Sequence, residues 1–263
     1  MGLALQKHDA DNKRETVVIG LGETGISVAQ YLSKQNIDFA MLDTRSNPPQ
    51  LSSFKQRFPD VEIYLGEINP SVITQASQVI VSPGIDVNKN VLRQAAAVID
   101  CECIGDIELF ARSTTKPIAA VTGSNGKSTV TSLLAEMARS GGLNAYAGGN
   151  LGPPALDLLS NENAELFVLE LSSFQLESTK SLMPQVSVVL NISYDHLDRH
   201  GDINRYAQIK EHIYNNAKVS VINRDDGYVS KMKTFGDVIS FGLNQPAHNE
   251  FGVIKNAEGS FLA

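Results

Sequence analysis

The stretch "AAVTGSNGKSTVTSLLAEMA", residues 119–138, decides how the rest of the chain is read. A short apolar run leads into two glycines, then Lys127 and Ser128, then a helix-forming sequence. That is the order of a phosphate-binding loop, except that the usual pattern G-x-x-x-x-G-K-[ST] places Val121, not glycine, five positions before Gly126. Such a loop works through successive backbone N–H groups that point at one centre. Gly123 and Gly126 supply the curvature across Ser124 and Asn125, and the helix that opens with Lys127, Ser128 and Thr129 supplies its positive end. The Lys127 ammonium reaches terminal phosphates, and the Ser128 hydroxyl suits Mg²⁺. Losing the upstream glycine reshapes the entry of the loop and leaves the cradle. A mononucleotide phosphate site is therefore expected here.

Outward from this loop, apolar runs of strand length alternate with helical stretches. "TVVIG" (16–20), "DFAMLD" (38–43), "VEIYLG" (61–66) and "QVIVSPG" (78–84) read as strands, with helices at 25–35 and 49–58. A second series runs through "PIAAVTG", a helix from Lys127 to Arg139, "LNAYAG", a short helix at 153–160, "LFVLELSS", "VSVVLNIS", a helix at 203–215, "KVSVIN", a helix at 225–233 and "DVISFG". Alternation of this kind demands crossover connections and parallel sheets. The expected fold class is α/β. A Rossmann-like parallel-sheet domain spans 1–104, and a phosphate-loop α/β domain spans 105–263. They join before the helix "GDIELFARS". The last residues, "FGVIKNAEGSFLA", read as a hairpin turning at "NAEG" whose second arm has barely begun. The expectation is a chain cut short inside its second domain.

The first domain has its own glycine cluster. "VVIGLGETG" places Gly20, Gly22 and Gly25 as G-x-G-x-x-G between strand and helix, and Asp43 ends the next strand eighteen residues past Gly25. This is the dinucleotide fingerprint in its required context. Its physics is general, since any ligand with a diphosphate and a ribose suits a glycine turn at a helix start. Arg45 is either a phosphate partner or a solvated loop arginine. Gly84, in "VSPGI", is either a ligand-edge residue or part of an ordinary Pro-Gly turn.

Other residues stand at the same sheet edge of the second domain. Glu170 follows "LFVL" and so ends a buried strand beside the loop, where a carboxylate holds Mg²⁺. "NISYDHLDRHG" (191–201) concentrates Asp195, His196, Asp198 and His200, as a metal or phosphate contact or as a charged loop. Asn150, in "GGNLG", offers an amide to a ligand.

Composition limits the alternatives. The 263 residues are 42% apolar and 19% charged, which is globular. A formal charge of −7 argues against a nucleic-acid partner. No apolar run is long enough for a membrane span, and the first fifteen residues do not form a signal peptide. Cys101 and Cys103 lie too close in sequence for a good disulfide and read as reduced thiols in a strand. These features point to the cytoplasm, and the expected state is a monomer.

In combination, "TGSNGKST", "GGNLG", "ELSSFQLE" and "NISYDHLDRHG" resemble the Mur ligases. "ELSSFQLE" and "DHLDRHG" resemble the members that add D-glutamate, whereas the folate polyglutamate synthetases share mainly the "GxNGK" loop. The resemblance runs from "GLGETG" to "VINRDD". It implies an ADP-forming amide ligase of peptidoglycan synthesis. ATP would phosphorylate the L-alanyl carboxylate of UDP-MurNAc-L-Ala, and the amine of D-glutamate would attack the acyl phosphate. Two Mg²⁺ ions and Lys127 would offset the charge on the transferring group.

By motif match, Lys127 and Ser128 would serve ATP and the first Mg²⁺, with Glu170 completing that site. His196 would hold the second Mg²⁺ together with Lys210 carrying a carbamate. Nothing in the pattern around Lys210 singles it out; alone it reads as a solvated helix lysine. The UDP-sugar would lie against Glu23, Thr24, Asp43, Thr44, Arg45, Gly84, Asn150 and His196. Glu23 stands where the family suggests an apolar residue, so a backbone contact is expected there. The G-x-G-x-x-G would then hold a UDP diphosphate and not NAD. The family also has a third, C-terminal domain that contacts D-glutamate, and its absence implies weak UDP-sugar binding without turnover. The competing readings are a nicotinamide-dependent oxidoreductase using "GLGETG" and a non-catalytic nucleotide-binding module.

Overall fold

The computed structural model describes residues 16–66, 70–74, 76–85 and 101–263. The reading of the first fifteen residues lies outside the described residues. The chain divides into two compact units, Met1–Ile104 and Gly105–Ala263.

In the first unit, β1 (Thr16–Ile19), α1 (Glu23–Lys34), β2 (Phe39–Asp43), α2 (Leu51–Arg57), β3 (Ile63–Leu65), α3 (Pro70–Ile73), β4 (Gln78–Val81) and β5 (Glu102–Gly105) follow in order. The sheet runs β3-β2-β1-β4-β5. β1 pairs in parallel with β2 on one side and β4 on the other. Every residue of β1 and β2 is buried, as a sheet covered on both faces requires. Strand order reverses at β1, so a crevice opens between the carboxyl ends of β1 and β4. Cys101 and Cys103 are free thiols, and Cys103 lies in β5.

The second unit begins with α4 (Asp106–Arg112) and β6 (Ile118–Thr122), then α5 (Lys127–Ser140), β7 (Ala145–Gly149), α6 (Ala155–Leu158), β8 (Leu166–Glu170), α7 (Ser173–Glu177) and β9 (Val186–Val189). α8 (Leu197–His200), α9 (Ile203–Glu211), β10 (Val219–Asn223), β11 (Asp237–Phe241), β12 (Glu250–Phe251), β13 (Val253–Asn256) and β14 (Gly259–Leu262) complete it. Its sheet runs β12-β11-β10-β9-β6-β8-β7, parallel throughout. β6 lies inside the sheet between β8 and β9. Val121 pairs with Glu170 on one side and Val188 on the other, so three strand ends are level where the glycine loop begins.

Three expectations need correction. No α-helix covers 225–233; a single 3₁₀ turn, Val229–Lys231, stands there. Asp226 is the reason: its carboxylate accepts the N–H groups of Tyr228, Val229 and Ile192 and diverts the backbone into a side-chain-closed turn. The helix expected to 215 ends at Glu211 and tightens into a 3₁₀ turn over His212–Tyr214. The final hairpin has a full second arm: β14 pairs with β13 from Val253↔Leu262 to Asn256↔Gly259. The Asn256 side chain closes its turn on the N–H groups of Glu258 and Gly259. Among the described residues, no helix is long and apolar enough to cross a membrane.

Candidate functional site

The phosphate-type loop is bolted to the segment after β9. Ser124 is 8% exposed. Its N–H donates to the Asn191 carbonyl (2.9 Å), and its hydroxyl accepts the Ser193 N–H (2.9 Å). The same hydroxyl lies 3.2 Å from the Ser193 carbonyl and 3.3 Å from the Tyr206 hydroxyl. Asn125 and Asn191 bond reciprocally: the Asn125 N–H donates to Asn191 Oδ1 (2.9 Å) and Asn191 Nδ2 to the Asn125 carbonyl (3.0 Å). Gly126 turns with φ +80°, a left-handed conformation that favours glycine, and α5 starts at once. Val130 makes the bond back to Gly126, so the amides of Lys127, Ser128 and Thr129 precede it at the positive helix end. Ser128 and Thr129 are exposed. Lys127 Nζ rests on the Ser124 carbonyl at 2.9 Å.

Glu170 ends β8 at 2% exposure. Asn150 holds it twice, by its backbone N–H to the Glu170 carbonyl (2.8 Å) and by Nδ2 to Oε1 (2.7 Å). Oε2 is buried with no hydrogen-bond partner among the described residues. Asn150, read as a ligand contact, spends a side-chain N–H on orienting this acid.

Lys210 is not a solvated lysine. It is 1% exposed on the inner face of α9. Nζ donates to Thr122 Oγ1 (3.1 Å) and lies 4.9 Å from the Tyr206 ring centre. Burial and the nearby Lys127 charge lower its pKa to about 7, against the opposing pull of Asp195 and Glu170. A large fraction of the amine is then neutral near pH 7, and nucleophilic.

His196 opens α8 in a left-handed conformation, φ 52°, and is half exposed. Its Nε2 lies 3.5 Å from Asp195 Oδ2, and its ring contacts Phe174 at 5.0 Å. Phe174 stacks on His200 at 5.2 Å. His200 is buried and bonded through Nε2 to Ser173 Oγ (2.9 Å), which makes it part of the packing; Asp198 is exposed. Among the described residues, no three His, Cys, Asp or Glu side chains gather as a ready metal cluster.

Residue-by-residue reading passed over Thr122, Asn191, Ser193, Tyr206 and Asp226, which build the support beneath the loop. A signal existed for Asn191 and Ser193, which follow a buried strand at the ligand edge. Tyr206 and Lys210 lie four apart and share a helix face, yet nothing marks that face as pointing at a site.

In the first unit, β1, β2 and β4 deliver their loops to one edge. Gly20 N–H donates to the Leu42 carbonyl (2.8 Å) and Ser82 N–H to the Ile19 carbonyl (2.9 Å). Gly25 packs so closely that a Cβ there would lie 1.8 Å from the Gly20 carbonyl oxygen. Asp43 is 1% exposed and fully engaged. Oδ2 accepts the Leu21 N–H (2.6 Å) and Arg45 Nη2 (2.7 Å), and Oδ1 accepts the Arg45 N–H and Nε, both at 2.8 Å. Burial works against its charge, but the Arg45 and Leu21 bonds win and hold its pKa below the usual carboxylate value. Glu23, Thr44, Arg45 and Gly84 are exposed and Thr24 partly so.

A Rossmann-ordered sheet preceding a phosphate-loop sheet defines a two-unit α/β chain with a nucleotide-type cradle in the second unit. Residues 14–105 match the family model described as Mur ligase MurD-like, N-terminal domain, and residues 121–262 match the Mur ligase middle domain. The chain belongs to the Mur ligase family. It is 45% identical over 254 residues to the UDP-N-acetylmuramoylalanine--D-glutamate ligase of Legionella pneumophila (strain Lens), covering 94% of this chain and 56% of that protein. It is 43% identical over 250 residues to the protein of the same name from Pseudomonas aeruginosa, covering 94% and 55%. The chain thus spans about half the length of the curated relatives it matches. Among solved structures, the UDP-N-acetylmuramate:L-alanyl-gamma-D-glutamyl-meso-diaminopimelate ligase of Neisseria meningitides shares the fold. Its TM-score is 0.61 at 15% identity, over 95% of this chain and 84% of that one.

Proposed function

We propose that this chain supplies the substrate- and ATP-binding domains of an ADP-forming ligase that joins D-glutamate to UDP-N-acetylmuramoyl-L-alanine in cytoplasmic peptidoglycan precursor synthesis. The names of relatives at 43–45% identity support the substrates, and the complete reaction is proposed for a polypeptide of their length. In this reading residues 1–104 grip the UDP-sugar and residues 105–263 grip ATP. A carboxylate is a poor electrophile, and converting it to an acyl phosphate supplies a leaving group for the attacking amine.

One observation carries the catalytic part. Among the described residues, Glu170 Oε2 is buried without a partner while Asn150 fixes Oε1. An orphaned carboxylate oxygen is costly to keep in a fold, and a hard cation satisfies it. Ser128 and Glu170 would hold one Mg²⁺; His196 and a carbamylated Lys210 would hold a second. When bound, Mg²⁺ offsets phosphate charge. Lys127 stands three residues from the Ser124 carbonyl it now contacts, free to exchange that neutral acceptor for a phosphate oxygen. The neutral fraction of Lys210 suits attack on CO₂. On the first unit, Arg45 and the amides at the start of α1 face a diphosphate. Both Asp43 oxygens are taken by Leu21 and Arg45, so in this reading the acid sets the loop, and a ribose contact of the kind an NAD reading needs would have to displace one of those bonds.

Glu170→Gln tests the assignment. Binding of a non-hydrolysable ATP analogue to the wild type is expected to tighten when Mg²⁺ replaces EDTA. The variant is expected to lose on the order of 100-fold of that Mg²⁺-dependent affinity and none of its thermal stability. Equal Mg²⁺ dependence in both proteins refutes the metal role of Glu170.

A further inference from the structure

We infer that Thr122 is a positioning residue for Lys210, fixing the plane of the group that Lys210 carries. The inference rests on the proposal that Lys210 is carbamylated, and extends it to a residue outside the ligand set.

The argument is a count of donors. Lys210 Nζ is enclosed at 1% exposure and, among the described residues, meets a single hydrogen-bond acceptor, Thr122 Oγ1, at 3.1 Å. Thr122 is itself 0% exposed, and its own proton goes to the Leu171 carbonyl at 2.7 Å. Toward Lys210 the hydroxyl therefore presents lone pairs only. The other neighbour, the Tyr206 ring face, attracts positive charge without taking a directed bond. An ammonium brings three N–H donors to this place, a neutral amine two and a carbamate one. One acceptor satisfies the carbamate alone.

The step is balanced as follows. The neutral Nζ lone pair attacks the carbon of CO₂ and the N–C bond forms. One C–O π pair moves onto oxygen, and one nitrogen proton leaves to water. The product, –NH–COO⁻, is planar by amide-like resonance, so its remaining N–H lies in the plane of both oxygens. Bonding that N–H to Thr122 fixes rotation about Cε–Nζ and hence the direction of the two oxygens. The Thr122 hydroxyl is held by its own bond to the Leu171 carbonyl, so the acceptor itself does not swing. Because Thr122 is the last residue of β6, the carbamate is referenced to the root of the phosphate-type loop.

The test is ¹³C NMR of the chain titrated with ¹³C-bicarbonate, which reads the carbamate apart from any turnover. The wild type is expected to show a carbamate resonance that Lys210→Ala lacks. Thr122→Val keeps volume and removes the acceptor; Thr122→Ala is a second acceptor-free variant should the first unfold. Either is expected to need roughly tenfold more bicarbonate for half-occupancy, and Thr122→Ser to behave as wild type. A wild-type carbamate with unchanged half-occupancy in both acceptor-free variants overturns the role of Thr122 and leaves the carbamate standing. A wild type with no resonance overturns the carbamate, and this inference with it.

Discussion

The two glycine loops of this chain solve one geometrical problem with different chemistry. Each follows a buried parallel strand, opens a helix and has an acid at the end of a neighbouring strand. In the first unit that acid, Asp43, has both oxygens filled by Leu21 and Arg45. In the second, Glu170 has one oxygen filled by Asn150 and the other buried and, among the described residues, unpartnered. The first edge is electrostatically complete within the protein, and its acid organises a loop. The second edge leaves one buried carboxylate oxygen open among the described residues, and in the proposed reading a cation completes it.

The largest expected effect separates the glycines of the two loops. Gly25 is required by packing, because an added Cβ would meet the Gly20 carbonyl oxygen at 1.8 Å, and backbone cannot step aside. Gly126 is required by conformation: its φ is +80°, and the nearest atom to an added Cβ is 3.8 Å away. Gly25→Ala is therefore expected to cost roughly 4 kcal/mol or more. Gly126→Ala is expected to cost about 1–2 kcal/mol. Hydrogen exchange resolves the two. Gly25→Ala should strip protection from β1 and β2 while β6 and β8 keep theirs. Uniform loss in both variants breaks the contrast between the loops.

How much of this was legible beforehand follows the same line between local and distant causes. The alternation of apolar runs with helices is local, and it carries the α/β class and the strand ends at Asp43 and Glu170. The partner of Glu170 is not local. Asn150 reaches Glu170 from twenty positions away, and no pattern in "GGNLG" announces it. Lys210 lies on a helix whose sequence fits a solvated surface; only the fold places its amine beneath Thr122 and Tyr206. The misread helix at 225–233 fails for a related reason. The Asp226 side chain satisfies the N–H groups of Tyr228 and Val229 just after it and of Ile192 in a different segment, and so outcompetes helix propensity.

A filled and a half-filled acid also stand two positions apart on α4, and they sharpen the contrast through pH. Glu108 is fully buried and accepts the N–H groups of Ser181 and Lys180, the Ser181 hydroxyl and Arg112 Nε. Burial opposes its charge, but these donors prevail and lower its pKa from 4.5 to about 2. Asp106 accepts a bond from Gln175 Nε2, and its Oδ1 has no side-chain or backbone partner within hydrogen-bond geometry among the described residues; burial outweighs the Gln175 bond and weaker backbone help and raises its pKa from 3.8 to about 6. The signs are opposite. The Glu108 contribution is complete above pH 4.5 and is lost as pH falls toward 2. The neutral Asp106 favours the fold below pH 3.8, and that advantage is lost as pH rises through 6. Each is worth about 3 kcal/mol over its window. Glu108→Gln is expected to flatten stability against pH on the acid side, and Asp106→Asn to raise stability above pH 6. Urea midpoints across pH measure both, and parallel curves for the two variants contradict the distinction.

The smallest expected effect falls on the filled acid of the first unit. Arg45 is half exposed, so solvent screens its pairing with Asp43. Arg45→Lys keeps the charge and loses the forked contact, since a single ammonium cannot serve both carboxylate oxygens and the Leu21 carbonyl together. The expected cost in stability is under about 1 kcal/mol, because the Leu21 and Arg45 backbone N–H groups still hold the acid. Affinity for a UDP-bearing ligand should fall more than stability does, since a lysine released from Asp43 no longer presents its charge in a fixed direction. Calorimetric titration with UDP-MurNAc-L-Ala beside a urea midpoint compares the two directly. A variant that loses stability but binds unchanged would make Arg45 a strut of the loop, and the first edge would then owe its ligand to the amides of α1 alone.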